Sequence, residues 1–222
     1  MTADLLIFDL DGTLIDSKRD LADSVNAMRR WMGLSPLADH RVYSYVGNGA
    51  EVLVRRSLSD IKPAADEAAI ERAHRYFLDY YREHMLDATT LYPGVREALD
   101  RLYGARVPMA ILTNKPVRFS TLLIQRLQLE PHFFRVYGGN SFPEKKPHPV
   151  GIDRLVEESG AERARTVMVG DSAVDILTAR NAGVTACGVS WGFQPETFAD
   201  APPDFIIDNL SALAEKVLGG QR

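Results

Sequence analysis

Six short apolar runs rich in β-branched residues recur along the chain, separated by stretches with helical spacing: Leu5 to Phe8, Val107 to Leu112, Phe134 to Tyr137, Thr166 to Val169, Val184 to Val189 and Phe205 to Ile207. Runs that are apolar on both faces belong to a parallel sheet buried between helices, because each parallel crossover needs a helix to bring the chain back. Helical segments are expected around Gly94 to Tyr103, Val117 to Leu127, Pro149 to Glu158, Val174 to Asn181 and Ser211 to Leu218. The fold class is α/β, a doubly wound parallel sheet.

One interval breaks the rhythm. Between Leu14 and Leu91 no convincing strand occurs, and three helical patterns follow one another. The first carries Leu21, Val25, Met28 and Met32 on one face, with Ser17 and Asp20 spaced as a capping arrangement at its start. The last carries Ile70, Ala73, Phe77 and Tyr81 at similar spacing, which suits a core face. The expected organisation is a sheet core over 1–14 and 91–222 and a helical cap over 15–90. A segment leaving after the first strand and returning at Leu91-Tyr92-Pro93-Gly94 is placed to act as a lid at the carboxyl ends of the strands, where such sheets bind ligands.

With 222 residues, 45% hydrophobic and 25% charged, the chain can bury one sizeable core. The 26 basic and 30 acidic residues leave a net charge of −4, and the cap interval alone holds 11 basic and 12 acidic residues. Neither part offers a basic surface for nucleic acid or anionic membrane. The single cysteine, Cys187, cannot pair within the chain, and it reads as a packing residue of a protein from a reducing compartment. No apolar run reaches the roughly 20 residues of a membrane helix, and the first residues lack a signal-peptide pattern, so a cytoplasmic protein is expected. Asn209-Leu210-Ser211 matches a glycosylation sequon, a chance match in such a chain.

The chemistry lies at the strand ends. The first run feeds into Asp9-Leu10-Asp11-Gly12-Thr13, which sets two carboxylates two residues apart and hence on one face. Two unit charges about 4 Å apart repel by on the order of 4 kcal/mol at an effective dielectric near 20, so a hard cation with oxygen ligands is the expected companion. Gly12 permits the sharp turn that follows. Ile111-Leu112 runs into Thr113-Asn114-Lys115-Pro116, where a hydroxyl beside a helix start can receive phosphate. Lys146, between Lys145 and Pro147, lies in a backbone restricted by two prolines. Met168-Val169-Gly170-Asp171 ends a further strand in a carboxylate, with Asp175 one helical turn on; Asp171 could complete a metal site with Asp9.

Taken together, these four strand ends resemble the haloacid dehalogenase superfamily of aspartate-nucleophile phosphatases, with all four motifs in order and the likeness spanning nearly the whole chain. The helical interval is similar to the cap of the branch whose cap follows the first motif. Within that branch, Tyr45-Val46-Gly47-Asn48-Gly49-Ala50, Leu91-Tyr92-Pro93-Gly94-Val95 and Thr113-Asn114-Lys115-Pro116 are most like the bacterial phosphoglycolate phosphatase family.

The resemblance implies a catalytic set of Asp9, Asp11, Thr113 and Lys146, with Asp9 attacking phosphorus and Asp11 giving, then taking, a proton. It implies Mg2+ held by Asp9, Asp171 and the main-chain carbonyl of Asp11, with Asp175 behind them. Gly12, Thr113, Asn114 and Lys146 would meet the phosphoryl group of a small phosphomonoester. The Gly47-Asn48-Gly49 turn, with Arg55 or Arg56, would meet the remainder of the substrate. No nucleic acid and no membrane partner is expected, and the chain should be a monomer or a loose homodimer. Rival readings are a phosphatase of sugar or amino-sugar phosphates, a β-phosphoglucomutase-like mutase, and a catalytically silent binding protein on the same fold.

Overall fold

The computed structural model describes residues 2–61 and 64–220. In chain order its elements are β1 (Leu5–Phe8), β2 (Ile15–Asp16), α1 (Lys18–Trp31), α2 (Asp39–Tyr43), α3 (Ala50–Ser57), α4 (Glu67–His84), β3 (Thr90–Leu91), α5 (Val95–Gly104), β4 (Met109–Leu112), α6 (Val117–Arg126), β5 (Arg135–Tyr137), α7 (Val150–Ser159), β6 (Thr166–Gly170), α8 (Ala173–Ala182), β7 (Thr185–Val189), β8 (Phe205–Ile207) and α9 (Leu210–Gly219). Two compact units result: one holds Met1–Asp16 and Leu91–Arg222, the other Ser17–Thr90.

The first unit is a six-stranded sheet in the order β5-β4-β1-β6-β7-β8, parallel throughout. Strand β1 is central because both its faces are apolar. Leu5 and Ile7 pack with Ile152 and Leu155 of α7 and with Ile176 and Ala179 of α8, while Leu6 and Phe8, pointing the other way, are also fully buried. The chain winds outward from β1 through β4 to β5, then restarts at β6 on the other side of β1. The order therefore reverses between β1 and β6, which is where doubly wound sheets open a crevice at the strands' carboxyl ends. Each of the six apolar runs overlaps a strand of this sheet, with β6 extending one residue further, to Gly170. Cys187 on β7 is fully buried, and burial pushes its thiol well above the ordinary range.

The second unit is helical. Its core includes Leu21, Val25 and Met28 of α1 and Ala73, Phe77 and Tyr81 of α4, all buried; Phe77 and Tyr81 stack at 5.9 Å. Among the described residues four helices occupy the interval where three patterns are legible, since the five residues of α2 are too few to show a period. The two-residue strands β2 and β3 are likewise too short to leave an alternation.

Ser17, at the start of α1, makes no side-chain cap bond. The Asp20 carboxylate accepts the backbone N–H groups of Ala88 and Thr89 and the Thr89 hydroxyl, at 2.7–3.2 Å. It thereby fastens the start of α1 to the segment after α4. Among the described residues no helix is long and apolar enough to cross a membrane.

Candidate active site

Three neighbouring strands deliver the site. Asp9 follows β1, Thr113 follows β4 and Asp171 follows β6, so the register that pairs Phe8 with Ile111 and Val169 brings these three ends together. All three residues are buried. Asp9, Asp171 and Asp175 form a cluster in which one carboxylate oxygen from each lies within 4.8 Å of the others.

Three carboxylates cannot be buried this closely without cationic compensation. Lys146 supplies part of it: its ammonium sits 3.0 Å from Asp9 Oδ1 and 2.6 Å from Asp175 Oδ1, with 2% of its side chain exposed. Burial alone would lower the Lys146 pKa, and the Asp175 and Asp9 charges outweigh it and raise it. Burial pushes Asp9 up to about 6 against the pull of Lys146. Burial, then Asp175 and Asp9, push Asp171 well above the ordinary carboxylate range. A cluster that one lysine leaves this costly, with only hard oxygen donors, fits a small divalent cation such as Mg2+. Asp175 belongs to the cluster itself, although it also caps its own helix: its Oδ2 accepts the Ser172 N–H at 3.1 Å and the Ser172 hydroxyl at 2.8 Å.

The backbone around the cluster is shaped to admit it. Gly12 has φ +82°, and a Cβ there would lie 2.2 Å from Asp171 Oδ2, so both conformation and space demand glycine. On the other side of Asp171, Gly192 comes so close that a Cβ would lie 2.1 Å from the Asp171 Cβ. The Phe193 N–H next to it donates to Asp171 Oδ2 at 2.7 Å. The Trp191 indole N–H donates to the Thr13 carbonyl at 3.2 Å, tying this loop to the turn after β1.

The Asp11 carboxylate is absent from the three-residue cluster. Lys115 Nζ contacts its Oδ1 at 2.9 Å and its Oδ2 at 3.0 Å. Lys115 is only 7% exposed. The Tyr92 hydroxyl is buried with no hydrogen-bond partner, and burial, with Asp16, Asp171 and Asp11 nearby, raises its pKa.

Other expected residues take more specific places. The Thr113 hydroxyl accepts the Lys115 N–H at 3.2 Å. Asn114 is turned to the Lys146 backbone: its amide nitrogen donates to the Lys146 carbonyl at 3.1 Å and its amide oxygen accepts the Lys146 N–H at 3.0 Å. These two bonds hold the lysine loop against the end of β4. At the α6 start the Val117 N–H donates to Asn140 Oδ1 at 2.9 Å.

Gly47, Asn48 and Gly49 form the turn into α3, in the helical unit. Arg55 forks onto Glu51 and Glu67 at 2.7–3.1 Å, and Arg56 donates to the Tyr45 carbonyl at 3.3 Å. Both are engaged within their own unit. No role was expected of Lys115, Tyr92 or the Trp191-Gly192-Phe193 loop. Lys115 could have been found as a lysine at a strand end beside Thr113, whereas the loop carries no signal of its own.

Known proteins are similar to this chain over most of its length. The phosphoglycolate phosphatase of Chromobacterium violaceum is 40% identical over 214 residues, covering 96% of each chain. That of Vibrio vulnificus is 39% identical over 218 residues, again 96% of each. A crystal structure of a predicted phosphoglycolate phosphatase from Haemophilus somnus superposes with a TM-score of 0.92 at 31% identity, over 100% of this chain and 99% of that one. The haloacid dehalogenase-like hydrolase family matches residues 6–189. A sheet that gathers buried carboxylates and a lysine at its reversal point, matched over most of its length in this way, places the chain in the haloacid dehalogenase-like hydrolase family.

Proposed function

We propose that this chain is a Mg2+-dependent phosphatase of small phosphomonoesters, 2-phosphoglycolate foremost, working through an aspartyl-phosphate intermediate. The observation that carries the reading is Asp9 at the switch point, a carboxylate flanked by a buried ammonium and two further carboxylates. An anionic nucleophile can approach a phosphate dianion only where the field is compensated in advance. The preference for 2-phosphoglycolate draws on the names of the relatives in Chromobacterium and Vibrio.

In this scheme an Asp9 oxygen attacks phosphorus in line, and the bond to the leaving alkoxide breaks as the bond to Asp9 forms. Asp11 gives its proton to the departing oxygen, then takes one from the water that attacks the aspartyl-phosphate. The products are the alcohol and inorganic phosphate, with Asp9 regenerated. Lys146 and the Thr113 hydroxyl hold the phosphoryl oxygens. Asn114, which fixes the Lys146 backbone, keeps that ammonium in place. Mg2+, when bound by Asp9, Asp171 and Asp175, would offset the charge of the phosphoryl oxygens.

The test is phosphate release from 2-phosphoglycolate, glucose phosphates and an amino-sugar phosphate, with Mg2+ or with chelator, beside Asp9→Asn. Mg2+-dependent release favouring 2-phosphoglycolate and lost in Asp9→Asn is expected. Equal or greater release from the sugar esters would discard the substrate. Exchange of phosphoryl between sugar positions would mark a mutase, and absence of both activities would overturn the catalytic reading.

A further inference from the structure

We infer that Lys115 selects an anionic leaving group, so that the substrate class is the phosphate esters of 2-hydroxy carboxylates. The inference rests on the phosphatase reading above and adds a residue and a chemical reason for the substrate preference.

Two buried lysines divide the site between them. Lys146 faces Asp9 and Asp175, on the side of the nucleophile. Lys115 faces Asp11, with its ammonium against both oxygens at 2.9 and 3.0 Å. In the proposed scheme Asp11 is the group that touches the leaving oxygen, so Lys115 marks the leaving-group side.

The Lys115 backbone is pinned. Its N–H donates to the Thr113 hydroxyl, and its carbonyl accepts the Gly139 N–H at 2.9 Å. Only the four-carbon stem can move. Because both Asp11 oxygens face the ammonium, a leaving oxygen that reaches Asp11 must arrive beside Lys115 Nζ, within about 6 Å, or two hydrogen-bond lengths.

That distance sets the leaving group's chemistry. When a carboxylate is carried on the carbon bonded to the ester oxygen, its oxygens lie within about 4 Å of that ester oxygen, inside the arc of an ammonium on a flexible stem. A neutral alcohol of the same size would leave the ammonium without a gain on binding. A carboxylate several carbons further away would lie outside the arc. An ammonium–carboxylate contact in a site this dry is worth about 10- to 100-fold in affinity.

The experiment compares kcat/KM for 2-phosphoglycolate and for its neutral isostere, 2-hydroxyethyl phosphate, in the wild type, Lys115→Met and Lys115→Arg, with Mg2+ present. Inhibition by glycolate is read alongside. The wild type should prefer 2-phosphoglycolate. In Lys115→Met the ratio between the two esters should fall by about 10- to 100-fold and glycolate inhibition should weaken in parallel, whereas Lys115→Arg should recover part of the ratio.

Because the neutral ester is measured in the same variant, general damage to Asp11 or to folding cancels in the ratio. An equal fall on both esters would overturn the proposal and leave Lys115 as a support for Asp11. An unchanged ratio, or a wild type without preference, would overturn it as well. Failure of the phosphatase reading looks different, since the wild type would then release phosphate from neither ester.

Discussion

Replacing Lys146 by methionine keeps most of the side-chain volume and removes the ammonium that lies 3.0 Å from Asp9 and 2.6 Å from Asp175. At an effective dielectric near 20, each contact represents about 5–6 kcal/mol of attraction before desolvation is subtracted. The loss is capped, because a buried carboxyl without a cation takes up a proton instead of staying charged. At pH 7 that proton costs about 1.4 kcal/mol for each pH unit above an ordinary pKa near 4, hence about 4 kcal/mol.

Lys146→Met should therefore lose about 4 kcal/mol in chelator at pH 7, or about 8–16 °C in Tm for a chain of this size. Asp175→Asn removes the other end of the shorter contact, and the double variant should lose at least about 2 kcal/mol less than the two single losses combined. The assay is urea unfolding followed by Trp191 fluorescence in a Trp31→Phe background, which confines the signal to the sheet unit.

The pH dependence has a definite sign. Carboxyls whose folded pKa is raised bind more protons folded than unfolded, so their contribution is whole below the unfolded value and is lost as pH rises through the folded one. The Lys146→Met deficit should thus grow from pH 5 to pH 7. Losses that add to within about 0.5 kcal/mol, or a deficit that shrinks over that range, would refute the compensation argument.

Gly12→Ala should cost about 1–3 kcal/mol from its left-handed backbone alone, and its methyl should displace Asp171; a Mg2+-induced rise in Tm equal to that of the wild type would contradict this. Asp20→Ala should destabilise the helical unit by about 3 kcal/mol, since three donors from Ala88 and Thr89 lose their acceptor, and hydrogen exchange at those two amides reports it. With chelator, the stability of the wild type relative to Asp9→Asn should fall by about 2 kcal/mol as pH rises from 4 to 7, because burial lifts Asp9 from 3.8 to about 6; a rise over that range would reverse the assigned sign. The Cys187 thiol, fully buried with a raised pKa, should stay silent to a thiol-exchange reagent until the chain is unfolded.

The sheet was legible because burial on both faces writes itself into a strand as an uninterrupted apolar run, and Leu5 to Phe8 is such a run. The strand-end carboxylates were legible for the opposite reason. Asp9 and Asp171 are charges placed directly after buried residues, where nothing local compensates them. Short elements were not: α2 and the two-residue strands β2 and β3 owe their existence to backbone pairing and neighbours rather than to a period.

Partners were the least legible. Asp20 has a neighbour in sequence, Ser17, that suits a helix cap, yet its carboxylate is taken by Ala88 and Thr89, 68 and 69 positions away. Asn114 stands where a phosphate contact is expected, and folding turns its amide onto the Lys146 backbone.

The amino-acid sequence by itself determined the parallel α/β core, the helical interval and the residue types at the four strand ends, since each follows from local periodicity or from the cost of a charge beside an apolar run. Only the tertiary structure decided which cation meets which anion: Lys146 with Asp9 and Asp175, Lys115 with Asp11. Those pairings join loops after different strands, and a side chain's choice among partners of equal charge is settled by distances of a few ångströms that exist only once the sheet has assembled.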